Sequence, residues 1–257
     1  MYHLRKLFFP LVAAMVWHAP LFAEEAAKQD ESGFVRIFDG KTLDGWEGDP
    51  VYWRVEDGHL VGEITPETLV KRNTFIIWRK GAPADFELKL EYRITGNGNS
   101  GVNYRSERMD DHPFALTGYQ ADIDGKNRFT GQNYEERGRT TLAYQGQVTV
   151  IPPLGKPLAE DWKKLIVKNA WTPAVLVKSL GKGEELTGGI KEGDWNRMRI
   201  VAKGNRLKHY VNGVLLSDVT DNDTQRRRMS GLIGVQVHVG PPMKVEYRDI
   251  LLKEPGK

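Results

Sequence analysis

Apolar and polar residues alternate with a period of two through much of the chain. The longest example runs from Phe86 to Ile94, where every second residue is apolar and the others are charged. Such alternation predicts half-buried β-strands. Asp57-Gly58 and Asn212-Gly213 lie between apolar runs and predict hairpin turns. Many short strands with few helical segments indicate an all-β protein that packs two sheets into a sandwich.

The same alternation near the end of the chain has an unusual polar face. In the segment 234–240, Val235, Val237 and Val239 are in phase, which predicts that they face a core. Gln236 and His238 then point to the opposite side. An amide beside an imidazole is typical of a polar binding site rather than of a purely structural sheet face.

Three tryptophans could either pack in the core or form an exposed platform for a ligand. Trp46, Trp53 and Trp195 each lie near a strand start or a turn in an apolar context. We therefore expect all three in the core.

The N-terminus has the features of a secretory signal peptide. Arg5 and Lys6 precede an apolar run over 7–17, and Ala23 is followed by two glutamates. We predict a signal peptide over residues 1–23, with a retained amphipathic terminus as the alternative. The apolar run is too short to favour a membrane span. A flexible lead over 24–33 and one β-sandwich domain over 34–253 would follow, in a secreted or periplasmic protein.

The net charge limits the classes of binding partner, and the cysteine content limits how the fold can be stabilised. The formal net charge is +3, and without Arg5 and Lys6 there are 35 basic residues against 34 acidic ones. A nearly neutral mature chain argues against nucleic acid as a partner. The sequence contains no cysteine, so an exported fold must be stabilised by burial alone.

Several predicted strands carry polar residues out of phase with their apolar positions. If these strands share one sheet, the polar residues line one face, as a sugar site requires. The alternative is an ordinary solvated face, with ion pairs such as Glu91 with Arg93. The set comprises Glu91, Arg93, Asn103, Arg105, Gln120, Asp122, Gln236 and His238.

A second polar cluster lies between Gly131 and Gly138, in the run Asn133-Tyr134-Glu135-Glu136-Arg137-Gly138-Arg139. We interpret it as a loop over the polar face, with Tyr134, Glu135 and Arg139 as candidate site residues. A solvated turn is the alternative.

Familiar catalytic motifs are missing from the sequence. There is no Gly-x-Ser-x-Gly elbow, no His-Glu-x-x-His helix and no glycine-rich phosphate loop. The nearest match to the Glu-x-Asp-x-x-Glu pair of retaining sandwich glucanases has Gln120 where the first acid should be. This disfavours a retaining glycosidase with two carboxylates.

Short motifs follow one another in a characteristic order along the chain. They are Ile37-Phe38-Asp39-Gly40-Lys41-Thr42-Leu43-Asp44-Gly45-Trp46, Asn99-Ser100-Gly101-Val102, Gly118-Tyr119-Gln120-Ala121-Asp122, Gly193-Asp194-Trp195-Asn196, Gln236-Val237-His238 and Val245-Glu246-Tyr247-Arg248-Asp249-Ile250. Their order resembles the 3-keto-disaccharide hydrolase family, long catalogued as a domain of unknown function. The resemblance covers residues 34–252. Many members of that family have Gly-Tyr-Glu-x-Gln where this chain has the Gly118–Asp122 motif, so the acid and the amide have exchanged places.

The resemblance implies a concanavalin A-like jelly-roll sandwich. It also implies cleavage of small-molecule glycosides that a separate sugar 3-dehydrogenase has oxidised at carbon 3. In that chemistry a base removes the acidified proton on carbon 2, the enolate expels the group on carbon 1, and water adds to the enone. The net result is hydrolysis.

This reaction needs a base, an acid and a group that stabilises the enolate oxygen. We expect His238 to be the base or the acid. Asp122 would orient it or serve as the base, and Glu135 is a second candidate base. Arg105 and Gln236 would hold the keto oxygen. A divalent metal ion bound by Asp122, Glu135 and His238 is an alternative electrophile to Arg105.

Two further functions remain open at this point. A non-catalytic carbohydrate-binding module would need aromatic platforms and no general base. The sequence instead places His238 near acids, with few aromatic residues on the polar strand faces, which favours an enzyme. An adhesion or scaffold domain is the third alternative.

Overall fold

A computed structural model describes residues 32–154 and 162–256. The predicted signal peptide, 1–23, and all but the last two residues of the predicted lead lie outside the described residues. In the part of the chain that is described, no helix is both long and apolar enough to cross a membrane.

The described chain is built almost entirely of strands. Its helices are a 3-10 turn at Trp162–Leu165 and α1 at Glu184–Thr187. The strands are β1 Val35–Arg36, β2 Trp46–Glu47, β3 Trp53–Glu56, β4 His59–Ile64, β5 Thr74–Trp78, β6 Phe86–Ile94, β7 Asn99–Met109, β8 His112–Asp124, β9 Asn133–Glu136, β10 Thr140–Ala143, β11 Gln147–Ile151, β12 Ile166–Val167, β13 Ala170–Trp171, β14 Val175–Ser179, β15 Asn196–Lys203, β16 Arg206–Val211, β17 Val214–Asp221, β18 Leu232–Val237 and β19 Met243–Lys253.

These strands form two sheets. The back sheet has the order β14-β11-β17-β16-β15-β6-β19-β4-β3, and β1 also pairs with β19. The front sheet has the order β12-β13-β10-β9-β8-β7-β18-β5-β2. Paired strands run antiparallel except for β11 with β17 and β10 with β13. The predicted all-β architecture of two packed sheets is confirmed.

The core lies between the sheets and follows the alternation of the sequence. In β6, Leu88 and Leu90 are buried, and the charged Lys89 between them points outward. Val102 and Ala121 of the front sheet belong to the same buried cluster. Burying one large aliphatic side chain contributes about 1.5–3 kcal/mol, so the repeated alternation fixes which face of each strand points inward.

The tryptophan predictions are confirmed for two of the three residues. Trp46 is 7% exposed and Trp53 is 1% exposed. Trp195 is only half-buried. Its ring lies 3.9 Å from the Arg248 guanidinium and 4.9 Å from that of Arg93. The prediction was wrong for Trp195 because its ring stacks against arginines on the outer face of the back sheet.

The front sheet curves strongly around its outer face. Asn73 directly precedes β5, and Glu136 ends β9, which is four strand spacings away in the sheet. In a flat sheet these strands would be about 19 Å apart. Yet Asn73 Nδ2 donates a hydrogen bond of 3.1 Å to Glu136 Oε1. The outer face of the front sheet is therefore concave, as a sugar site requires.

Candidate active site

A cavity of about 590 Å³ opens on the concave face of the front sheet. It is large enough for a sugar with a substituent. Acids and amides lie together with basic and aromatic side chains in its lining, which comprises Lys71, Arg72, Asn73, Asn99, Gln120, Asp122, Phe129, Gln132, Tyr134, Glu136, Arg137, Asn169, His238 and Val239.

Asp122 is a buried acid of this pocket whose two carboxylate oxygens both accept hydrogen bonds from amides. Gln120 Nε2 donates to its Oδ1 at 2.6 Å, and Gln132 Nε2 donates to its Oδ2 at 2.5 Å. Burial raises the pKa of Asp122 to about 7 against these two hydrogen bonds, with a further contribution from the charge of Glu136. A carboxylate of this kind exchanges a proton near neutral pH, as a general base must.

A glycine in the neighbouring strand makes this arrangement possible. Gly101 of β7 pairs with Asp122 of β8. A Cβ at Gly101 would lie 2.5 Å from Gln120 Cδ, which is far closer than a normal contact. The absence of a side chain at Gly101 lets Gln120 lie across the sheet and reach Asp122.

Glu136 is the second acid of the pocket, and it is not among the site residues predicted from the sequence. Tyr134 and Glu136 occupy alternate positions of β9, and both line the pocket. Burial raises the pKa of Glu136, while hydrogen bonds from Asn73 and Gln236 and the charges of Arg137 and His238 oppose the rise. Its period-two relation to Tyr134 is the sequence signal that could have identified it.

His238 lines the mouth of the pocket and is partly exposed. Its Nδ1 lies 2.6 Å from the carbonyl oxygen of Val239. Because a carbonyl only accepts, Nδ1 carries the hydrogen of this contact. β18 ends at Val237, so Val239 is 43% exposed rather than in the core, and the prediction for this valine was wrong.

Two predicted amides lie behind the lining rather than in it. Gln236 is fully buried, and its Nε2 donates to Gln120 Oε1 at 3.1 Å. It therefore supports the glutamine that binds Asp122. Asn103 pairs with Gln120 in the sheet register and is also fully buried. Neither Asn103 nor Gln236 is placed to touch a ligand in the pocket, which does not support their predicted contacts with substrate.

Glu135 and Arg139 lie between the sheets, away from the pocket. Arg139 is fully buried, with its Nε 2.7 Å from Glu135 Oε2 and its Nη2 2.6 Å from Asp221 Oδ2. Asp221 belongs to β17, so this cluster joins the two sheets. The placement does not support Glu135 as a base or Arg139 as a substrate ligand, because each is held by an ion pair in the interior.

Arg105 and Glu91 are also outside the pocket. The buried guanidinium of Arg105 donates to the carbonyl oxygens of Ala84 and Gly204, at 2.8 and 2.7 Å. Glu91 lies in the back sheet and forms an ion pair with Arg197. This placement agrees with the alternative of an ordinary solvated face for this strand. Arg93 lies in the same back-sheet strand and pairs with Glu246.

The predicted metal ligands do not converge. Asp122 and His238 line the pocket, but Glu135 points between the sheets. Across residues 32–154 and 162–256, no group of three or more histidine or acidic side chains is arranged to hold a metal ion.

The fold is shared with solved structures of bacterial proteins. A candidate glycosyl hydrolase from Parabacteroides distasonis superimposes with a TM-score of 0.53 at 20% identity, over 86% of this chain and 94% of that one. A Bacillus subtilis protein of galectin-like fold gives 0.50 at 13% identity, over 86% and 94%. Both likenesses concern the fold alone. They agree with the expected concanavalin A-like jelly-roll sandwich.

Residues 33–253 match the model of the 3-keto-alpha-glucoside-1,2-lyase-like domain, and the chain belongs to this family. A curated relative from Bacteroides thetaiotaomicron, a 3-keto-disaccharide hydrolase, is 26% identical over 153 residues. That match spans 52% of this chain and 52% of the relative, about half the length of each. The family resemblance read from the sequence is confirmed.

Proposed function

We propose that this chain is an exported enzyme that cleaves glycosides carrying a ketone at carbon 3. The family supports the class of substrate. The observation that carries the proposal is the buried Asp122 in a sugar-sized pocket, with its pKa raised to about 7. The buried Glu136 is the second acid in the same pocket.

Asp122 acts as the base in the first step. The ketone at carbon 3 acidifies the hydrogen on carbon 2, and an Asp122 carboxylate oxygen takes this proton. The bonding electrons enter the enolate of the keto group. Asp122 suits this role better than His238, because it is buried while His238 lies partly exposed at the mouth.

Glu136 acts as the acid in the second step. The enolate electrons return to form the double bond between carbons 1 and 2, and the bond between carbon 1 and the leaving oxygen breaks. Glu136, whose pKa is raised by burial, gives its proton to that oxygen. Tyr134 and His238 flank the sugar and hydrogen-bond its hydroxyls.

Hydration completes the reaction. Glu136 takes a proton from water and the hydroxide adds to carbon 1 of the enone. Asp122, which has exchanged its proton with solvent while the leaving group departs, then protonates carbon 2. One water is consumed, a free 3-keto sugar is released, and both acids regain their starting states. A separate dehydrogenase must supply the substrate, because an unoxidised glycoside lacks the acidic hydrogen on carbon 2.

The test follows release of the leaving group from a 3-keto-glucoside in deuterated water. Elimination and hydration place deuterium on carbon 2 of the product, whereas direct hydrolysis keeps the original hydrogen there. Incubation without enzyme corrects for spontaneous exchange. Asp122→Asn is expected to lose roughly 10²- to 10⁴-fold in kcat, and Glu136→Gln is expected to slow the reaction most for poor leaving groups.

Asp111→Asn is the matched control, because Asp111 is exposed in the turn before β8. It should retain full activity. Normal activity of Asp122→Asn, or a product without deuterium, would contradict the mechanism. Binding of plain glycans without turnover of any 3-keto-glycoside would favour the carbohydrate-binding alternative.

Export is tested separately. N-terminal sequencing of the protein recovered from the medium or the periplasm should begin at Glu24. A full-length chain confined to the cytoplasm would contradict this part of the proposal.

A further inference from the structure

Three basic side chains line one side of the pocket. Lys71 and Arg72 directly precede Asn73, and Arg137 directly follows Glu136. The hydrogen bond from Asn73 to Glu136 joins these two segments. The three cations therefore lie around a common part of the pocket wall, which we call the basic rim.

The side chains of the basic rim have few acidic partners, whereas most arginines in the described part of the chain form ion pairs. Within the described ranges, neither Lys71 nor Arg72 forms an ion pair with a carboxylate. Arg137 Nε lies 3.8 Å from Glu136 Oε1, which is beyond hydrogen-bond distance. Elsewhere on the surface, arginines have close acidic partners, for example in the pairs Arg36–Asp249, Arg54–Glu63 and Arg199–Glu87.

The acids of the pocket do not neutralise this rim. Burial favours the protonated form of both Asp122 and Glu136, so together they carry less than their full negative charge near pH 7. Three cations thus face a weakly charged interior. A pocket with this balance attracts and orients anions.

We propose that the pocket selects 3-keto-glycosides whose leaving group carries an anionic substituent, and that Lys71, Arg72 and Arg137 bind this anion. The inference rests on the proposed function. The carbon that loses its proton must lie at Asp122, deep in the pocket. The part of the substrate that reaches the basic rim is then the part that extends away from the reacting sugar, which is the leaving group.

The experiment compares two substrates that differ in one remote charge. The 4-(carboxymethyl)phenyl 3-keto-glucoside is anionic, and its N-methylamide is neutral. The two substrates release phenols of nearly equal leaving-group ability, so they differ mainly in the remote charge. We expect the anionic substrate to have a kcat/KM at least tenfold higher at low salt. The preference should fall toward one in 0.5 M NaCl, because exposed charges are screened.

The variant Lys71→Met/Arg72→Met should lose most of the preference, measured as the ratio of kcat/KM for the anionic substrate to kcat/KM for the neutral one. The control is Lys178→Met/Lys203→Met, which removes the same charge from exposed positions on the back sheet. This control should keep the preference. An equal kcat/KM for the two substrates, or the same preference in both double variants, would overturn the inference and leave the proposed function intact.

A binding measurement separates the two proposals if neither substrate is cleaved. Calorimetry with the unoxidised 4-(carboxymethyl)phenyl glucoside and its N-methylamide needs no turnover. Tighter binding of the anion that is lost in Lys71→Met/Arg72→Met would support the basic rim while the reaction proposal fails. Equal binding of both ligands would overturn the basic rim as well.

Discussion

Asp122 should make the free protein less stable as the pH rises, and its neutral isostere should remove this effect. The pKa of Asp122 is raised from 3.8 to about 7 by burial. The folded protein therefore binds this proton more tightly than the unfolded chain does. The free energy of unfolding is therefore highest below about pH 4, where Asp122 is protonated in both the folded and the unfolded state. It falls as the pH rises through the folded-state pKa of about 7.

The size of the effect follows from the pKa shift. A shift of one unit corresponds to about 1.4 kcal/mol, so ionising Asp122 in the folded protein costs roughly 4 kcal/mol above pH 7. Asp122→Asn keeps the shape of the side chain and removes the charge. We expect the variant to match the parent at pH 4 and to exceed its free energy of unfolding by up to about 4 kcal/mol at pH 8.

Thermal unfolding from pH 4 to pH 9 is the assay. For a domain of this size, 1 kcal/mol corresponds to about 2–4 °C in Tm, so the difference at pH 8 should reach roughly 10 °C. Asp111→Asn, which changes an exposed carboxylate, should show no such trend. A difference between Asp122→Asn and the parent that does not depend on pH, or a variant less stable at pH 8, would refute the reasoning.

Two further predictions concern groups buried between the sheets. Arg139→Met should cost roughly 3–5 kcal/mol in urea unfolding, because it leaves buried carboxylates unpaired, whereas Arg197→Met on the exposed face should change little; equal costs would contradict this. Burial lowers the pKa of His209 to about 4. In the Asp122→Asn background, stability should therefore fall by about 3 kcal/mol from pH 6.5 to pH 4, and His209→Gln should flatten that dependence; an unchanged slope would count against it.

The sequence predicted Asp122 better than it predicted the residues around it. Gln120 and Asp122 are out of phase with buried neighbours in one strand, and both line the pocket. The adjacent acids Glu135 and Glu136 show the limit. Both lie in β9, and only the direction of each side chain decides that one pairs with Arg139 inside the sandwich while the other faces the pocket.

Glu91 and Arg105 failed as site residues for two different reasons. Glu91 has the expected outward orientation, but its strand belongs to the back sheet. Arg105 lies in the front sheet, but it has a φ of 47° at an irregularity in the strand pairing, which ends the simple alternation there. Neither strand partnership nor a local irregularity is visible in the pattern of one strand.

The sequence by itself determined that the chain forms an all-β sandwich, which face of most strands is buried, and the family to which the chain belongs. These features depend on the alternation of neighbouring residues and on the order of short motifs, both of which are local. Only the tertiary structure decided which polar faces share a sheet, how the front sheet curves, and that Asp122, Glu136 and His238 meet in one pocket. Strand pairing and curvature arise from contacts between residues far apart in the chain, so the pattern of a single strand does not contain them.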